Sequence, residues 1–113
     1  MENSIYKICL IDEWETAKKA GEFRGSKKDL IDGYIHFSKK GQLDSTLKKY
    51  FFNQDNLILL KVEVLNLKNL KWERSQIEEI FPHLYSILNL KHVKNTFKII
   101  LNNDGTHKIP SDL

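Results

Sequence analysis

One cysteine, two arginines and no long apolar run define this chain first by what it withholds. A lone Cys9 cannot form an intrachain disulfide, and within the alternating apolar run of residues 5–11 it reads as a small buried thiol compatible with a reducing compartment. No apolar segment approaches the length needed to cross a bilayer, and Met1-Glu2-Asn3-Ser4 lacks the basic and apolar regions of a signal peptide, so a cytoplasmic location with no membrane partner is the expectation. Neither G-x-G-x-x-G after a strand nor a Walker-type G-x-x-x-x-G-K-[ST] occurs, which disfavours the standard Rossmann and P-loop modes of nucleotide binding and leaves other nucleotide folds open. The four histidines and Cys9 lack close ligand spacing, so no metal site is expected.

What is present fits one domain. The 113 residues suffice for a real core without metal or disulfide support, and 41% hydrophobic with 29% charged residues suits a globule. The net charge of +3 comes from 18 basic against 15 acidic residues. The lysines come as isolated pairs, such as Lys18-Lys19 and Lys48-Lys49, interleaved with acids. That pattern reads as solvated helix faces and gives no ground for nucleic-acid binding.

Residues 4–10 alternate like a strand that is apolar on both faces, hence central. Asp12 with Glu15 offers a helix start, Trp14, Ala17 and Ala20 an apolar stripe, and Gly21 a stop. Residues 21–32 show no clear periodicity and read as a structured loop carrying Phe23, Arg24 and Ser26. After a strand at 33–38, Leu43, Leu47, Tyr50 and Phe51 form the stripe of an amphipathic helix. Strands follow at 57–64, near 70–73 and at about 92–101, with Asn103-Asp104-Gly105 as hairpin turn chemistry and Pro82 interrupting any helix begun near Ser75. This order predicts an α+β domain in which two early helices cover a largely antiparallel sheet.

The stretch Asp32-Gly33-Tyr34-Ile35-His36-Phe37-Ser38 carries the chemistry. Strand alternation sends Tyr34, His36 and Ser38 to one face and Ile35 and Phe37 to the core. His36 is the leading acid–base candidate, its alternative being a satisfied structural histidine. Ser38, about 7 Å from His36 along the backbone, suits ligand hydrogen bonding better than nucleophilic attack, since no G-x-S-x-G elbow exposes it. Arg24 and Arg74 offer planar forks for carboxylate or phosphate, and Glu73 could orient a histidine or a ribose hydroxyl. Phe81-Pro82-His83-Leu84-Tyr85 places a second histidine and an aromatic hydroxyl among apolar anchors.

Taken together, Ile5-Tyr6-Lys7-Ile8-Cys9, Trp14, Gly21-Glu22-Phe23-Arg24-Gly25-Ser26, Asp29, residues 32–38, Trp72-Glu73 and residues 81–85 resemble the DUF952 family of small, mostly bacterial proteins of unknown function. The resemblance implies an ADP-ribosyltransferase-like fold, with half-sheets around a cleft that in those enzymes holds NAD, and it implies no established activity. It places His36 and Ser38 in the cleft with Arg24, Ser26 and His83 on its walls, and it nominates Glu73 for the catalytic glutamate of the transferases. Ser86 stands where the family commonly has glycine. The resulting expectation is a site with His36, Glu73 and His83 as catalytic groups and Arg24, Ser26, Tyr34, Ser38 and Tyr85 as ligand contacts. It would bind a nucleotide-like or other anionic small molecule, with NAD as the implied cofactor. A non-catalytic binding module is the alternative, and the oligomeric state is open.

Overall fold

The first strand, β1 (Ser4–Leu10), pairs antiparallel along its whole length with β4 (Leu57–Glu63). The computed structural model describes residues 3–75 and 78–113, and all strand pairings among them are antiparallel. β4 is flanked on its other side by β8 (Val93–Leu101), which ends against the short β9 (His107–Lys108). A second sheet has the order β3 (Ile35–His36), β6 (Ile80–Leu84), β5 (Leu70–Arg74). β2 (Glu22–Phe23) and β7 (Leu88–Asn89) form a small third pair. The two main sheets meet where Tyr6 and Ser38 exchange backbone hydrogen bonds of 2.9 and 2.8 Å, so the order runs from β9 to β5 as one curled surface.

Alternation in β1 and β4 explains the core. Ile5, Cys9, Ile58, Leu60 and Val62 face one way and bury Trp14 and Ala17 of α1 (Ile11–Ala20) together with Phe23, Ile35, Phe37, Leu84 and Leu88. Tyr6, Ile8, Leu57 and Leu59 face the other way and bury Leu43 and Leu47 of α3 (Leu43–Tyr50). Having apolar residues on both faces is what a central strand covered by helices requires.

Several local expectations are corrected. α1 starts at Ile11, one residue before the expected Asp12 cap, and the Glu13 carboxylate accepts from the Leu10 N–H at 2.8 Å. Residues 27–32, read as loop, form the helix α2 (Lys27–Asp32). Its signal is Ser26-x-x-Asp29, a capping box in which each side chain accepts from the other's backbone N–H. The helical elements therefore number more than two. The 33–38 strand shrinks to two paired residues plus the Ser38 bridge, because Gly33 still belongs to the helix end at φ 86°. Tyr50, counted in the stripe of α3, is 53% exposed and lies under Lys28 and Lys49. Around Pro82 the chain is strand β6, and of the stretch after Ser75, Gln76 and Ile77 lie outside the described residues.

Candidate functional site

Lys7 stands on the buried face of β1 between Ile5 and Cys9, and only 4% of it is exposed. A buried ammonium needs a partner, and Asp29 of α2 supplies it: Nζ to Oδ2 is 2.7 Å. The same oxygen accepts the Ser26 N–H at 2.8 Å, while Oδ1 accepts the His36 N–H at 3.1 Å and meets His36 Nδ1 at 2.6 Å. Gly25 makes this close wrapping feasible. At φ +120° it occupies backbone space that favours glycine, and a Cβ there would lie 2.8 Å from the Asp29 Cβ. Burial alone would raise the Asp29 carboxyl, but the His36 hydrogen bond, the Lys7 charge and the Ser26 N–H outweigh it and hold the group well below the usual carboxylate range.

His36 is held at both ends, since its Nε2 lies 3.0 Å from Asp32 Oδ2. Carboxylates only accept, so both contacts are hydrogen bonds together only in the imidazolium form. β3 and β6 then set His36 directly opposite His83. The His83 ring is oriented from the next strand, where Glu73 Oε1 lies 2.8 Å from Nδ1 and also accepts the Tyr85 hydroxyl at 2.6 Å. With Nδ1 donating to the carboxylate, Nε2 has no hydrogen-bond partner among the described residues. The two hydrogen bonds, Tyr85's first and His83's second, lower the Glu73 carboxyl, and the same Glu73 bond pushes the Tyr85 phenol up to about 12.

Tyr34, which follows the left-handed Gly33 that ends α2, packs against both imidazoles, themselves 5.5 Å apart. Its ring centroid is 4.6 Å from that of His36, 4.3 Å from His83 and 5.1 Å from Tyr85. Burial, followed by the charges of Asp32 and Glu73, raises its phenol. Lys28 reaches to 3.5 Å from Asp32 at one side, and at the other Lys71 sits over the Tyr85 ring at 5.0 Å. The cluster is a half-open aromatic face with one unoccupied imidazole nitrogen, the Asp29 carboxylate buried behind His36, those of Asp32 and Glu73 at its sides and two lysines at its rim.

His36, Glu73, His83, Tyr34 and Tyr85 are thus brought together. Ser26 joins from behind as a helix cap holding Asp29. Ser38 is 5% exposed and its hydroxyl meets Thr46 of α3 at 3.3 Å, so it is not joined to the cluster by a hydrogen bond. Arg24 is well exposed and pairs with Glu22 at 2.8 Å, and none of its polar contacts reaches the cluster. Lys7 and Asp29, given no role on sequence grounds, are the residues that fix the site; the signal available was a lysine on the buried face of an apolar strand. Surface hollows of about 350 Å³ beside Trp14 and Val93 and about 320 Å³ beside Ile11 and Leu57 contain no cluster residue. Among the described residues no three His, Cys, Asp or Glu side chains are arranged to hold a metal ion, and no helix is long and apolar enough to cross a membrane.

A family described as protein of unknown function, DUF952, has a sequence model that matches residues 8–96, most of the chain and every residue of this arrangement except Lys7. The chain belongs to the DUF952 family. Its similarity to CC0527 from Caulobacter crescentus agrees: the crystal structure of that protein is 43% identical with a TM-score of 0.88, covering 93% of each chain. A double mutant of CC0527 gives 42% and 0.88 over the same shares. The solution NMR structure gives 43% and 0.83, covering 93% of this chain and 91% of CC0527. No curated protein matches. The DUF952 name describes no activity, so the chemistry of the face must be argued from its geometry.

Proposed function

We propose that the face formed by Tyr34, His83, Glu73 and Tyr85 binds a nucleotide-like small molecule in the cytoplasm, with His36 packed against Tyr34 as its support. The observation that carries this reading is the Tyr34 ring, packed on two imidazoles and a second phenol and still partly open to solvent. Such a platform suits a planar base or nicotinamide ring. The free His83 Nε2 and the second oxygen of Glu73 suit ribose hydroxyls. The carboxylates around the Tyr34 phenol repel an anion, so the ligand's anionic group is assigned to the rim, where Lys28 and Lys71 lie.

The ADP-ribosyltransferase-like reading of the fold, and NAD as ligand, belong to this proposal. They are supported by the curled pair of antiparallel sheets and by a glutamate on the strand beside the second histidine. On this reading Glu73 orients His83, and His83 Nε2 is the group able to move a proton. A non-catalytic binding module is favoured by one observation: both His36 nitrogens are committed to carboxylates, which removes it as an acid or base.

A thermal-shift screen against NAD, ADP-ribose, nucleotides and phosphorylated RNA ends tests the binding reading. A ligand at a hundred times its Kd stabilises the fold by about 2.7 kcal/mol. We expect a shift in the wild type that is lost in Tyr34→Ala and His83→Ala. No shift from any compound, or shifts that persist in both variants, would refute it. Turnover of a bound dinucleotide, abolished in Glu73→Gln, separates the transferase from the module.

A further inference from the structure

β5 is the outermost strand of its sheet, and its free edge is self-complementary. In β6 the Pro82 carbonyl accepts from Phe37 N–H, so residue 82 faces away from β5 while Phe81 and His83 face toward it. The Tyr85 N–H bond to the Asn69 carbonyl keeps the same parity. Leu70, Trp72 and Arg74 therefore turn their backbone N–H and C=O groups to the open edge, with no hydrogen-bond partner among the described residues. Trp72 is 43% exposed. An open edge with unpaired groups and an exposed tryptophan is a template for another strand.

Which strand it suits is written in the charge order. In an antiparallel pairing of two β5 strands centred on Trp72, residue 71 of one copy faces residue 73 of the other. Lys71 then meets Glu73 twice, and Trp72 meets Trp72 as a pair exchanging both backbone hydrogen bonds. Glu73 uses Oε1 for His83 and Tyr85, and Oε2, with two lone pairs, can accept from the incoming lysine and from a ligand hydroxyl together. We infer that this chain forms a two-fold dimer through β5, in which Lys71 of the second copy lies beside Glu73 and completes the rim of the face described above. Five paired residues a side bury a small area, which places the dimer among reversible ones. The inference does not depend on what the face binds.

Sedimentation equilibrium from micromolar to millimolar protein tests it. The wild type should pass from monomer to dimer; Lys71→Glu, which sets acid against acid in both pairs, should weaken association about tenfold. The exchange Lys71→Glu with Glu73→Lys restores the pairing and should restore the dimer. Should the charge variants fold poorly, Trp72→Cys gives an independent reading. Cα atoms about 5.5 Å apart allow an intermolecular disulfide on oxidation, and Cys9 does not compete because it is 1% exposed. A monomer at every concentration would overturn the proposal and leave the edge to a strand of another protein. So would a dimer that Lys71→Glu leaves unweakened, or a double exchange that fails to restore it.

Discussion

The chain builds two histidine–carboxylate pairs on facing strands and uses them differently. Around His36 both ring nitrogens and the backbone N–H are taken by carboxylates. Asp29 takes four hydrogen bonds, one from a buried lysine, and the ring is closed at its far nitrogen by Asp32. Around His83 the carboxylate is on the surface, and the ring keeps one nitrogen unpartnered. The first pair has the saturation of a structural keystone, the second the openness of a binding group. Residue type alone does not separate them; the number of partners does.

The largest effect should come from breaking the first pair. Asp29→Ala leaves Lys7 buried without a counter-charge and removes the reciprocal cap of α2, so urea unfolding should show a loss of about 3–5 kcal/mol. Lys7→Met should cost less, because Asp29 keeps its bonds to Ser26 and His36 and the new side chain suits the apolar face. Glu73→Gln, by contrast, should leave the unfolding midpoint close to that of the wild type.

Acid sharpens the same contrast. The Asp29 carboxyl is depressed in the folded state, so its contribution is fully present above its unfolded value of about 3.9 and is lost as pH falls toward the folded one. Stability should decline steeply below about pH 4 in the wild type and less steeply in Asp29→Asn. The comparison is made by urea unfolding at a series of pH values.

A spectroscopic consequence is smaller and local to the second pair. Tyr85 is pushed up to about 12, first by its hydrogen bond to Glu73. Ultraviolet difference titration of Glu73→Gln should show the Tyr85 phenol returning toward an ordinary value of about 10, with a smaller fall for Tyr34 as it loses the Glu73 charge. The smallest effect belongs to Arg24→Ala, an exposed pair whose loss should change stability by no more than about 0.5 kcal/mol.

Much of this was legible from the chain. The alternation of Ile5, Cys9, Leu57 and Leu59 announced a central sheet, and Leu43 with Leu47 announced the helix over it. Residues 34, 36, 73, 83 and 85 were nominated and do converge, because strand parity survives even where the strand is short. Ser38 was nominated by the same parity, but the chain leaves the second sheet there to bridge Tyr6, and its hydroxyl turns to Thr46. The helix at 27–32 escaped because six residues are too few to show a period, although its capping box was present. The Lys7–Asp29 pair escaped because it joins residues far apart in the chain, a coupling that only folding creates.

The most direct test of the division between keystone and binding face is chemical-shift mapping of ¹⁵N-labelled protein titrated with ADP-ribose. The account predicts perturbations centred on Tyr34, Glu73, His83 and Tyr85, including His83 Nε2, with the Lys7 and Asp29 amides nearly still. Perturbations centred instead on the hollow beside Trp14 and Val93, or none at saturating ligand, would contradict it.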